Sequence, residues 1–116
     1  ILRPLDSCYF GNCIIYGNIA EEVGMDSALT TGAFSYKFEY SLLKTERSIP
    51  NGIHYNNAYK NIDPEFNNSG LNDYKPVTTS AAVVDKANPL LFAPFDINNI
   101  SRPLGANPDL GAYEVN

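Results

Sequence analysis

The sequence predicts an all-β chain of short stacked strands. Three observations carry that expectation: helix signals are nearly absent, short apolar runs alternate with turn-forming residues, and two of the runs match position by position.

Only residues 19–29 (IAEEVGMDSAL) could wind a turn or two of helix, and Gly24 in their middle argues against a longer one. Elsewhere Asn, Gly, Pro and Asp bound each apolar run, as they bound short strands. The composition agrees. Charged residues make up 18% of the chain, Gly and Pro number eight each, and the polar remainder is largely Asn, Ser, Thr and Tyr.

Residues 10–16 (FGNCIIY) lie on residues 38–44 (FEYSLLK), with Phe10 against Phe38, Cys13 against Ser41 and Ile15 against Leu43. Further strands are expected over 59–66, 80–85 and 109–115. Strands returning roughly every 20 to 30 residues are the mark of stacked repeats. One coil cannot bury its own interior, whereas a stack forms a continuous core with hydrogen bonds between coils. Phe10 over Phe38 is then an interior stacked pair. Asn12 and Asn61 suit sharp bends, because Asn tolerates the left-handed backbone region; Tyr40, aligned with Asn12, breaks that ladder. Residues 44–57 fit no coil and are expected to loop out. Alternation alone leaves a solenoid and a β-sandwich evenly matched.

A chain of 116 residues fits one domain with a real core. Net charge is −5, and eight scattered basic residues give no patch for phosphates, so nucleic acid is not an expected partner. No stretch approaches the roughly 20 apolar residues needed to span a bilayer. The chain begins at Ile1 without Met, and residues 1–116 are expected to be one domain excised from a longer protein. Cys8 and Cys13 lack the four-ligand pattern of a zinc site. They read as free thiols, with Cys13 packed as a small hydrophobe; a disulfide between them needs a tight turn.

From Asn61 onward the chain carries Asn61-Ile62-Asp63-Pro64-Glu65-Phe66, Asp73-Tyr74-Lys75-Pro76 and Ser80-Ala81-Ala82-Val83-Val84-Asp85-Lys86-Ala87. Its ending holds Asp96, Arg102-Pro103, Gly105 and Asp109-Leu110-Gly111-Ala112-Tyr113-Glu114. These motifs resemble the terminal region of the exported bacterial proteins called choice-of-anchor Q domain proteins, common in Bacteroidetes. The likeness is specific over the last half and loose over the first, where residues 12–18 resemble one coil. Ala81 stands where that pattern has Pro, and Ala87 where it has Gly. The resemblance implies a right-handed parallel β-helix, a pectate-lyase-like solenoid, with its C-terminal coils over about residues 1–87 and a capping tail over about 88–116. It also implies export to an extracellular, cell-surface or periplasmic address, and an association with glycans through binding or cleavage.

A polysaccharide lyase needs acids that hold calcium and an Arg or Lys base, and a hydrolase needs paired carboxylates. Asp63 and Glu65 alternate on the expected strand and share a face, but Pro64 between them favours a structural role. Asp96 with Asn98 and Asn99 is similar to part of a calcium loop, yet it lacks the Gly and closing Glu. No cofactor is therefore expected. His54 has no partner at ligand spacing and falls in an expected exposed loop. Arg102 and the ending 109–114 read as a cap: Gly105 and Gly111 permit bends, Tyr113 and Val115 share an inward face, and Arg102 pairs with Asp109 or Glu114. Tyr36, Tyr40, Tyr55, Tyr59 and Tyr74, beside Asn and Lys, suit stacking on sugars.

No catalytic or metal residue is assigned. The leading expectation is a non-catalytic terminus of an exported protein, a scaffold or a surface that contacts polysaccharide. The rival is a fragment of a polysaccharide lyase or glycoside hydrolase whose active residues lie mostly upstream. A β-sandwich adhesion module is the third, and antiparallel pairing would mark it. An open edge near residues 8–16 also predicts self-association.

Overall fold

The computed structural model describes residues 3–27 and 33–115. Within them lie eight short strands, a 3-10 turn at Ser69–Leu71 and no α-helix. Strands β1 (Tyr9–Gly11), β3 (Lys37–Glu39) and β5 (Tyr55–Asn56) pair in that order as one parallel sheet. Strands β2 (Ile14–Ile15), β4 (Leu42–Leu43) and β6 (Tyr59–Lys60) form a second parallel sheet. The third sheet is an antiparallel hairpin of β7 (Phe66–Asn68) and β8 (Asp73–Pro76).

Bends between the first two sheets explain the local sequence. Asn12, Tyr40 and Asn57 each take a left-handed backbone (φ 57°, 46° and 50°), which turns the chain sharply from one sheet into the next. A small residue follows each: Cys13, Ser41 and Ala58. The buried Ser41 hydroxyl accepts the Cys13 amide at 3.1 Å and lies within donating distance of the Phe10 and Glu39 carbonyls, so the bends are tied across strands.

Side chains on the two sheets alternate between two cores. Phe38, Leu43, Tyr55 and Val23 form one, with Phe10 and Ile15 packed against it. The Phe38 ring is stacked between Phe10 (centroids 4.7 Å apart) and Tyr55 (5.8 Å). Leu42 points to the opposite core, shared with Ala82, Val83, Ala87 and Leu110 of the C-terminal segment. The second sheet is thus covered on both faces, as parallel sheets require.

Several expectations are corrected. The right-handed parallel β-helix is not what the chain forms: its strands fall into three separate short sheets, none of them closed and none continuing as a solenoid. Parallel pairing in named strands ends at Lys60, beyond which the chain makes an antiparallel hairpin and then turns. Six of the eight prolines fall between Pro64 and Pro108, and each removes a ladder donor. Residues 80–85 and 109–115 accordingly form turns and irregular chain instead of strands, and 59–66 is two strands separated by a turn. Residues 44–57 do not simply loop out, since they contain β5. Tyr40 does not break the ladder, because it adopts the same left-handed bend as Asn12. Residues 19–27 hold no helix, and the last two positions of that expected turn lie outside the described residues. Parallel pairing in the two larger sheets also runs against a β-sandwich.

Candidate functional site

A cleft of about 550 Å³ opens between the end of β2 and the β7–β8 hairpin. Tyr16, Gly17 and Asn18 form one side. Asp63, Glu65, Phe66, Ser69 and Tyr74 form the other. Phe66 and Tyr74 meet edge to face at 5.5 Å, and Tyr74 is 51% exposed, so an apolar ring stands open to solvent. Lys44 Nζ lies 5.1 Å from the centroid of the Tyr16 ring.

The acidic rim is fixed from beneath. Pro64 is fully buried, and its carbonyl accepts the hydroxyl of buried Ser80 at 3.0 Å. The Asp63 Oδ1 accepts the Glu65 amide at 2.8 Å, Glu65 takes a left-handed backbone (φ 55°), and its carbonyl accepts the Val77 amide. Both carboxylates therefore stand at the mouth of the cleft on a turn that cannot easily rearrange. Neither residue lies on a strand, contrary to the expected shared strand face, although the structure does bring them to one site.

The tail acids are occupied otherwise. Asp96 Oδ1 accepts the amides of Asn98 and Ile100, and its Oδ2 accepts that of Glu114. Burial alone would push this carboxyl up, but those three amides and the nearby Arg102 hold it below the ordinary aspartate value. Asp109 accepts the Asp85 and Val115 amides at 2.7 Å each. Glu114 accepts the amides of Leu104 and Asp109 and pairs with Arg102 at 3.7 Å. Arg102 donates to the carbonyls of Asp109 and Gly111, so it meets Glu114 as an ion pair but Asp109 only through its backbone. Gly111 has φ 82°, and a Cβ there would stand 2.9 Å from Ile14 Cδ1, which requires glycine.

No protein-family model, curated protein or solved structure matches the chain. The resemblance to choice-of-anchor Q proteins rests on the sequence motifs alone.

Other expected residues sort themselves by packing. Tyr36 and Tyr55 join the Phe38 core and Tyr59 packs on the Leu42 core; of the five tyrosines singled out, Tyr74 alone lines the cleft. His54 is half-buried instead of lying on an open loop: its ring stacks on Tyr36 at 3.9 Å, and its Nδ1 donates to the Tyr36 carbonyl at 2.9 Å. Cys8 and Cys13 are both free, and burial pushes the Cys13 thiol up, away from the reactive thiolate. Sequence reasoning missed Tyr16 and Phe66. The available signal was an aromatic residue next to the Gly17-Asn18 turn and another next to Asp63-Pro64-Glu65, but only the fold shows that the two segments face each other.

Proposed function

We propose that the chain is a non-catalytic module of an exported bacterial protein, at the cell surface, outside the cell or in the periplasm, and that it contacts a polysaccharide through the Tyr16–Phe66–Tyr74 cleft. The observation that carries this reading is the exposed Tyr74 ring, braced by Phe66 and set beside carboxylates and the Ser69 position. An open aromatic face stacks on the apolar face of a sugar, and neighbouring polar groups bond its hydroxyls. The export address rests on the sequence resemblance. The tail carboxylates Asp96, Asp109 and Glu114 accept backbone amides, which supports a structural role for them. Among the described residues, no helix is long and apolar enough to cross a membrane.

Titration calorimetry against a panel of neutral, amine-bearing and uronate oligosaccharides tests the reading. Binding is expected to weaken at least about tenfold in Tyr74→Ala, the loss of roughly 1.4 kcal/mol that one well-placed aromatic contact supplies. Binding unaffected by this substitution, or cleavage of any oligosaccharide by the chain, would overturn it in favour of another site or of the lyase and hydrolase class.

A further inference from the structure

We infer that Asn51 is a site of spontaneous deamidation that the folded chain holds latent, with the reaction gated by opening of residues 51–57. Asn51 and Gly52 form the only Asn-Gly pair in the sequence, and both are exposed. Open space stands where a Cβ of residue 52 would be, so no side chain screens the Gly52 nitrogen from the Asn51 carboxamide. In the reaction that nitrogen gives up its proton to hydroxide and attacks Asn51 Cγ. A C–N bond forms, ammonia leaves, and a five-membered succinimide closes. Water then adds to either ring carbonyl and breaks that carbonyl's bond to the nitrogen, which yields isoaspartate or aspartate.

Two hydrogen bonds oppose the first step. The Gly52 N–H donates to the Tyr55 carbonyl at 2.8 Å, so the nitrogen that must lose its proton is already committed. The Asn51 Oδ1 accepts the Asn57 N–H at 2.9 Å, which ties the carboxamide to residue 57 and away from the Gly52 nitrogen. Both ties end on anchored chain. Tyr55 is buried and stacks on Phe38, and Asn57 is the left-handed bend (φ 50°) between β5 and β6. Attack therefore proceeds from a locally opened form, at a rate set by how rarely that form is populated. The two products differ in consequence. Aspartate at position 51 keeps an acceptor for the Asn57 amide, whereas isoaspartate routes the backbone through the former side chain, displaces that acceptor and frees the bend.

The test incubates the full chain at mildly alkaline pH, folded and unfolded in guanidinium chloride, and follows residue 51 by peptide mass and isoaspartate content. The folded chain is expected to react at least about tenfold more slowly than the unfolded one, a factor within reach of two ordinary hydrogen bonds. Hydrogen exchange of the Gly52 amide should be slowed in the folded chain by a similar factor. Gly52→Ala, which the open space accommodates, is expected to suppress the reaction in both states and so locate it. Equal rates in the two states, or a slow folded rate with a freely exchanging Gly52 amide, would overturn the gating. Asn51 left intact in the unfolded chain, or a reaction undiminished in Gly52→Ala, would overturn the site.

Discussion

Arg102 shows how much structure one side chain can organise. Its side chain is 5% exposed, it donates to the Asp109 and Gly111 carbonyls, and its Nε faces Glu114 at 3.7 Å without a hydrogen bond. Replacing one partner of a buried pair leaves the other charge uncompensated. Arg102→Met is therefore expected to destabilise the fold by about 3–5 kcal/mol, read as a lower urea midpoint with an unchanged slope. The sequence offered Asp109 and Glu114 as alternative partners of Arg102 without choosing between them, because which groups a carboxylate meets depends on chain crossings that no spacing reveals. Tyr40 makes the complementary case. A bulky residue at φ 46° is strained, and Asn relieves that strain at the corresponding bend of Asn12. Tyr40→Asn is expected to raise stability by about 0.5–1 kcal/mol in the same denaturation assay.

At the scale of elements, stability resides in the ladder of rings and aliphatic side chains that crosses the two parallel sheets. Phe38 is fully packed between Phe10 and Tyr55, so Phe38→Ala should cost about 3–5 kcal/mol and leave little native chain to measure at ordinary temperature. The match of Phe10 with Phe38 could be read from the sequence because two strands share a seven-residue pattern. The third passage could not: Tyr55 takes the place of Phe, the interval from β3 to β5 is shorter than that from β1 to β3, and a two-residue strand is too short to show periodicity. The hairpin behaves differently. Its partners Phe66 and Tyr74 belong to neither core and Tyr74 is half exposed, so Tyr74→Ala should change stability by no more than about 0.5 kcal/mol, which separates the binding role proposed for it from a structural one.

Across the whole molecule, the tail and the first strands hold each other in place. The Asn12 carboxamide accepts the Asn88 amide and donates to the Leu91 carbonyl, while the Asn12 carbonyl accepts the Gly111 amide. Motifs placed on opposite halves of the sequence therefore meet. Acid should loosen this assembly. The Glu39 carboxyl is lowered chiefly by the Asn56 side-chain carboxamide; Asp96, which burial alone would raise, is lowered by the backbone amides of Glu114, Ile100 and Asn98. Folded values below the unfolded ones, about 3.9 for Asp and 4.3 for Glu, stabilise in full above those unfolded values. That stabilisation disappears as pH falls through the folded values, so urea midpoints should stay level down to about pH 5 and drop below about pH 4. Asp96→Asn should flatten part of that acid limb. Among the described residues β1 pairs only with β3, which leaves its other edge without a strand partner, the condition for the self-association expected from the sequence. Sedimentation should then show a concentration-dependent dimer; a strictly monomeric species at all dilutions counts against it.

The most direct test of the account is an amide NMR titration of the chain with the tightest-binding oligosaccharide from the panel. Shifts are predicted at Gly17, Asn18, Glu65, Phe66 and Tyr74, with the tail amides that reach Asp96, Asp109 and Glu114 unmoved and the oligosaccharide intact throughout. Shifts centred on the tail, or signals of shortened oligosaccharide accumulating with time, would contradict it.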